Sequence, residues 1–275
     1  MNKRTACLLL ALVPLSGVAQ TPTAEFALID YHVGKEIREY HYVLRNRGLS
    51  AFDLADVYID ISAPRGELLP PLLEMSGEFL MDAFQVRRDI TDLGRPDLGI
   101  ATPAPWSSAI YINGTVSWGA PRFFSTAEGT VGKDESLGGF ILRSSAVPAL
   151  RRWDIDPFYT PSMQQGHQRS GMPGPQWNGW TVGPGWPAEL VDVSFVKAQY
   201  RQACSLSIMR RSACERADEV IPALILAERE GRDRRYRVGL DLLREIAEGE
   251  TLSPAIRDVL LVSVSAARDR PPSKR

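Results

Sequence analysis

The sequence predicts a mainly β sandwich that is followed by a small all-α helical bundle. Hydrophobic and polar residues alternate along much of residues 24–155, and this period of two is typical of strands buried on one face. After Lys197 the apolar residues recur every three or four positions, as in amphipathic helices. The change of period divides the mature chain into a predicted sandwich domain, residues 20–197, and a C-terminal helical region, residues 198–275.

Residues 1–19 have the pattern of a secretory signal peptide. Lys3 lies before the apolar run 6–12, and small residues at positions 17–19 supply a cleavage motif that ends at Ala19. The apolar run is too short to span a bilayer, which needs about twenty residues. The sequence therefore predicts a secreted or periplasmic protein without a transmembrane segment in the mature chain.

Several short segments of the first region are predicted strands with turns between them. Alternation places Tyr40 and Tyr42 on one face of a strand and His41 on the other, so we expect His41 to be exposed or half-buried. Asn113-Gly114 lies between two alternating segments, and this dipeptide is typical of the type I′ turn of a β-hairpin. Further strands are predicted at residues 57–61, 140–143, 153–155 and 190–196.

A stretch rich in glycine and proline, residues 157–187, is predicted to be a long loop inside the sandwich domain. It carries three tryptophans, Trp177, Trp180 and Trp186. Exposed indole rings can stack on sugar rings or pack into a groove of a partner. The alternative is that these tryptophans cover the open end of the sandwich core, and the sequence leaves both interpretations open.

Three amphipathic helices are predicted in the C-terminal region. Ser212 and Glu215 have the spacing of a capping box, which would begin the first helix, and Pro222 would kink or break that helix. Gly249 closes the second helix, and Ser253-Pro254 begins the third.

Cys204 and Cys214 are the only cysteines that remain after removal of the signal peptide, which contains Cys7. An even number of cysteines in an exported protein predicts a disulfide. The pair has neither the spacing of a redox motif nor a histidine nearby for a zinc site. A bridge across ten residues would stabilise the fold by about 2–3 kcal/mol and would hold the start of the first helix.

Three segments carry a resemblance to a known group of proteins: residues 40–48 (YHYVLRNRG), the tryptophan strand 116–118 and residues 138–144 (GGFILRS). Together they resemble exported, uncharacterised bacterial proteins with an immunoglobulin-like or fibronectin-like β-sandwich. The cysteine-flanked helical tail is similar to short helical modules at the ends of bacterial surface proteins. The resemblance implies no catalytic residues.

The composition argues against several classes of function. The 32 basic and 33 acidic residues give a net charge of -1, which favours neither nucleic acid nor an anionic membrane as the partner. The only histidines are His32, His41 and His167, and their separation predicts no metal site and no cofactor. Ser117 lies in a hairpin strand without the Gly-x-Ser-x-Gly context of a serine hydrolase.

Asp154 and Asp156 are the remaining candidates for chemistry. They lie on one face of a predicted strand end, where oxygen ligands could bind calcium, but we expect a solvated strand end. Glycoside hydrolysis needs two carboxylates across a cleft, which spacing in sequence does not identify. We therefore expect a non-enzymatic surface or periplasmic scaffold or interaction protein. The alternative is a carbohydrate- or peptide-binding module that uses Trp177, Trp180 and Trp186. The partner, a cell-surface glycan or a protein, stays open.

The change of period also predicts that the two regions fold as separate cooperative units. On this hypothesis residues 20–197 fold without the helices. In the alternative, the helices cover one face of the sandwich and the protein is one domain with an α+β core.

Overall fold

The computed structural model describes residues 24–48, 52–61, 86–87, 98–111, 114–121, 129–158 and 177–270. The predicted signal peptide, residues 1–19, lies outside these ranges, as do Asn113 and His167. The described residues form ten strands and then four helices. The strands are β1 (Ala24–Val33), β2 (Arg38–Asn46), β3 (Leu54–Asp60), β4 (Val86–Arg87), β5 (Gly99–Ala101), β6 (Ser107–Tyr111), β7 (Thr115–Gly119), β8 (Ser136–Ser144), β9 (Pro148–Pro157) and β10 (Trp177–Pro184).

The strands form two antiparallel sheets, which pack together through an aromatic core. The four-stranded sheet has the order β1-β2-β8-β5, and the six-stranded sheet has the order β10-β9-β3-β7-β6-β4. Phe26 and Phe140 of the first sheet contact Trp118 of the second, with ring centroids 5.7 and 5.6 Å apart. The sheet-rich first region is therefore confirmed.

The predicted hairpin and the predicted faces of β2 are confirmed. β6 and β7 pair antiparallel, and Gly114 in the turn has a positive φ of 85°, which glycine adopts without strain. Tyr40 and Tyr42 are fully buried, whereas 27% of the His41 side chain is exposed. Alternation along β2 therefore identified the buried face correctly.

The predicted loop at residues 157–187 is wrong over its last part, because Trp177–Pro184 is strand β10. This strand pairs with β9 along its whole length. Glycine is required at position 179, because a Cβ there would clash with the ring of Trp153. The glycines that suggested a loop thus include one that permits close packing within a sheet.

The predicted strand at residues 190–196 is also wrong. A 3-10 turn, Ala188–Leu190, leads into helix α1 (Val193–Ser205), and the Asp192 carboxylate caps α1 by accepting from the Phe195 N–H at 3.1 Å. Val191, Val193 and Phe195 alternate in sequence, but buried side chains continue along α1 at helical spacing. The predicted division at residue 197 therefore falls inside a helix.

Three further helices follow: α2 (Arg211–Arg229), α3 (Asp233–Glu248) and α4 (Pro254–Asp269). The Ser253 cap of α4 is confirmed. The predicted capping box of α2 is wrong, because Ser212 lies inside the helix and Glu215 pairs with Arg211 at 2.9 Å. The helix also continues through Pro222. In the part of the chain that the structure describes, no helix has the length and apolar content needed to cross a membrane.

The predicted disulfide is confirmed. Cys204 in the last turn of α1 is bonded to Cys214 in the first turn of α2, and their Cα atoms are 5.7 Å apart. The bridge therefore closes the connection between the two helices.

The helices pack against the sheets, and one continuous cluster of buried side chains joins the two regions. Helices α1 and α4 contact β9, and α4 also contacts β10. Gln199 of α1 accepts a hydrogen bond from the backbone N–H of Leu150 at 2.7 Å, and Arg38 of β2 donates to Asp258 of α4 at 3.2 Å. The packing matches the alternative in which helices cover a sheet face, while separate folding of residues 20–197 stays a prediction.

We predict that Gln199→Ala lowers the free energy of unfolding by about 1–3 kcal/mol, because the buried N–H of Leu150 loses its acceptor. Urea denaturation of residues 20–275 measures this change. Gln202→Ala on the same helix is the control, and it should change stability by less than about 0.5 kcal/mol. Equal losses in the two variants would contradict a specific role for Gln199.

We predict that alkylation of residues 20–275, produced in an oxidising compartment, adds no label without reduction, because Cys204 and Cys214 are bonded to each other. Reduction and unfolding before alkylation should add one label to Cys204 and one to Cys214, as measured by intact mass. Label on either cysteine without reduction would show that the bridge is absent from the protein in solution.

Candidate binding face of the six-stranded sheet

Two of the three candidate tryptophans contact the core. Trp177 pairs with Ile155, so the two side chains share the inward face of the sheet, and Trp177 is half-buried against the core. Trp186 packs on Phe195 of α1, with ring centroids 4.7 Å apart. These two indoles therefore contribute to packing at the edge of the sheet and under the first helix.

Trp180 lies on the opposite, outward face of β10 and is 40% exposed. Its direct neighbour across the strand pair is Arg152, and the next outward pair is Asn178 with Asp154. On the other side of β9, Asp154 lies opposite Tyr58 of β3. We call this outward surface the Trp180 face, and it consists of Tyr58, Asp60, Arg152, Asp154, Asn178 and Trp180.

Strand alternation produces this face. In β9, Trp153 and Ile155 point into the core, so Arg152 and Asp154, which alternate with them, point outward. At the other end of the same outward face, Leu150 and Val182 are buried where the helices pack. The helices therefore cover one end of the outward face and leave Trp180 exposed at the other.

The charges on the Trp180 face are partly buried. Arg152 Nη2 lies 3.1 Å from Asp154 Oδ1, and only 16% of the Asp154 side chain is exposed. Burial raises the pKa of Asp154 above its usual value, Arg152 opposes this shift, and the charge of Asp60 adds to it. The buried Nε of Arg152 has no hydrogen-bond acceptor among the described residues.

The arrangement combines an exposed indole with hydrogen-bonding groups on adjacent strands. Arg152 and Asn178 can donate, while Asp154 can accept, and all three lie within two register positions of Trp180. A sugar ring offers an apolar face for stacking and hydroxyl groups at its rim. The Trp180 face therefore has the chemistry needed to bind a carbohydrate.

Sequence reasoning identified Trp180 and Asp154 but not the residues around them. Arg152, Tyr58 and Asn178 carried no motif, and only their alternation with apolar residues could have placed them on an outward face. Strand order and register decide which outward-facing residues lie side by side across the sheet, because β3, β9 and β10 are far apart in sequence.

The other candidates for chemistry lie elsewhere. His32 and His41 are neighbours on β1 and β2, with ring centroids 5.2 Å apart, and each is paired with a carboxylate, Asp30 or Glu39. Ser117 is buried in β7. Within the described ranges, no group of three or more histidine, cysteine or acidic side chains could hold a metal ion.

Asp154 and Asp156 lie on the same face of β9 but opposite different residues of β3. Asp154 lies opposite Tyr58, whereas Asp156 lies opposite Asp56. The contact of Asp154 with Arg152 places it in the Trp180 face.

A cleft of about 500 Å³ lies among the helices. Four basic side chains and two acidic ones line it: Lys197, Arg201, Arg229 and Arg270, with Asp192 and Glu228. Asp192 caps α1 and Arg270 donates to the carbonyl of Leu190 at 3.3 Å. The excess of basic groups favours anionic solutes, so variants of this cleft are useful controls for non-specific charge binding.

No known family model matches this sequence, and no curated protein matches it significantly.

We predict that Asp154→Asn is at least as stable as the wild type at neutral pH. The raised pKa of Asp154 means that its charged form is less favourable in the folded protein than in the unfolded chain. The stability of the wild type relative to this variant should therefore fall as the pH rises above 3.8, the usual pKa of the group. Denaturation at a series of pH values measures the difference.

The matched control is Asp218→Asn at an exposed position of α2. It should change the stability at neutral pH by less than about 0.5 kcal/mol. A wild type that is more stable than Asp154→Asn by over about 1 kcal/mol at neutral pH would show that the pair with Arg152 outweighs burial.

Proposed function

We propose that this chain is an exported, non-catalytic interaction protein that binds a cell-surface or cell-wall glycan through the Trp180 face. Export follows from the signal-peptide pattern of residues 1–19. We also propose that the two sheets form an immunoglobulin-like sandwich, a scaffold that presents binding groups on a rigid sheet surface.

The observation that carries the proposal is the surroundings of Trp180. Its indole is 40% exposed and lies directly beside Arg152, whose side chain is 28% exposed and paired with Asp154. An exposed indole offers an apolar surface on which a sugar ring can stack, and a half-buried donor orients the ligand through a hydrogen bond. Strand pairing fixes the backbone that carries both groups, so binding costs little conformational entropy.

A second candidate function is that of a scaffold that binds another protein and no glycan. Three exposed side chains on the helices, Leu226, Val238 and Leu242, support it. Exposed apolar groups that lie close together are typical of protein–protein contacts.

We predict that the mature protein is retained by one of a panel of insoluble glycans, including peptidoglycan and chitin. Trp180→Ala should weaken retention at least about tenfold, or about 1.4 kcal/mol, because the stacking surface is lost. Trp180→Tyr should keep most of the affinity, since a tyrosine ring can also stack. Depletion of the protein from solution at a series of glycan concentrations gives the dissociation constants.

Two controls separate stacking from other causes of retention. Ile29→Ala removes a side chain that is 55% exposed on β1 and should have no effect. Arg201→Ala reduces the charge of the helical cleft and should also have no effect. Retention that depends on Arg201 and not on Trp180 would refute the proposed site, and no retention by any glycan would favour the protein-binding scaffold.

A further inference from the structure

Helices α2 and α3 present an apolar groove to solvent. The groove has a volume of about 640 Å³. Its exposed apolar side chains are Leu226, Val238 and Leu242, which are 54%, 53% and 39% exposed, with Val220 and Ala223 beside them. We refer to this surface as the helical groove.

The sequence gives α2 and α3 two apolar stripes each, and only one stripe of each helix faces the core. Ile221 and Leu224 of α2 are buried, as are Leu240 and Leu243 of α3. The second stripe contains the exposed residues of the helical groove. The helices approach closely at Gly239, where a Cβ would lie 2.9 Å from Leu224. This close approach brings the two outer stripes together into one surface.

The two ends of the helical groove have opposite charge. Arg234 and Arg235 line the end near the turn between the helices, and Glu219 lines the other end. Glu245 is exposed one turn after Leu242 on the same face of α3, and therefore adds to the acidic end.

These end charges differ from their neighbours in having no ion-pair partner among the described residues. Nearby charges are paired within the chain: Arg232 with Glu230 at 2.7 Å, and Arg237 with Asp233 at 3.1 Å. The Glu230 charge at the basic end is therefore balanced by Arg232. One end of the groove thus has two arginines, and the other has two glutamates, that form no ion pair among the described residues.

We propose that the helical groove is a self-association surface, on which two copies of this chain pack about a twofold axis perpendicular to the helices. In this arrangement the basic end of each copy lies against the acidic end of the other, and Leu226, Val238 and Leu242 of both copies pack between them. The same contact is made twice, as a twofold interface requires. The product is a four-helix bundle, a common packing for pairs of helical hairpins.

The charge pattern selects a second copy as the occupant. A groove with one sign of charge would repel its own copy, whereas a groove with opposite ends is complementary to itself after a twofold rotation. The inference is independent of glycan binding, because the Trp180 face lies on the six-stranded sheet. A dimer would present two such faces and so raise the avidity for a polymeric glycan.

The first test is sedimentation equilibrium of the mature wild-type protein at total concentrations up to about 0.5 mM, the range in which weak interfaces are detected. We expect a reversible dimer. Leu226→Glu should raise the dimer dissociation constant at least about tenfold, because it places a charge in the apolar contact. Leu190→Glu is the control, since Leu190 is 46% exposed outside the groove. It should leave the dimer unchanged.

The second test exchanges the end charges. Glu219→Arg and Arg235→Glu should each weaken self-association, because like charges then meet at both ends of the interface. An equimolar mixture of the two variants should form a heterodimer, in which every end contact again joins opposite charges. Circular dichroism checks that each exposed-site variant stays folded. A wild type that is monomeric throughout the concentration range, or variants that fail to pair when mixed, would overturn the proposal.

Discussion

The buried contact between Gln199 and the backbone of Leu150 holds the helices on the six-stranded sheet. It satisfies a strand N–H that would otherwise be buried without an acceptor, and such a group costs about 1–3 kcal/mol. Close by, Gly185 lies between the carbonyl of Val147 and the ring of Phe195. A Cβ at position 185 would clash with the carbonyl oxygen and would lie only 3.0 Å from the ring. The Gln199 hydrogen bond therefore fixes the position of helix α1, and Gly185 allows the close approach that this position requires.

The position of α1 determines the rest of the helical region. The Cys204–Cys214 bridge connects α1 to α2, and buried tyrosine hydroxyls continue the connections. Tyr200 donates to the carbonyl of Leu243 at 2.7 Å, and Tyr236 donates to the carbonyl of Ala267 at 2.9 Å. Each hydroxyl joins one helix to another, so the four helices form one packed unit. The inner side of this unit packs against the sheet, and its outer side contains the helical groove.

Both proposed surfaces follow from this packing. The helices cover the end of the outward sheet face that contains Leu150 and Val182, and the uncovered end contains Trp180 with Arg152 and Asp154. On the far side of the bundle, the outer stripes of α2 and α3 have no partner among the described residues. A glycan-binding face and a dimer surface on different sides of one molecule are compatible, since neither blocks the other.

The sequence alone determined the local features that depend on near neighbours. These are the buried face of β2, the hairpin at Gly114, the cap at Ser253 and the disulfide between Cys204 and Cys214. Tertiary structure decided the features for which local patterns were ambiguous. Residues 191–196 fit a strand or a helix, and docking on β9 selects the helix. Trp177 and Trp180 lie in the same glycine-rich stretch of sequence, but pairing with β9 turns Trp177 inward and Trp180 outward. They are three positions apart, and side chains alternate between the two faces of a strand.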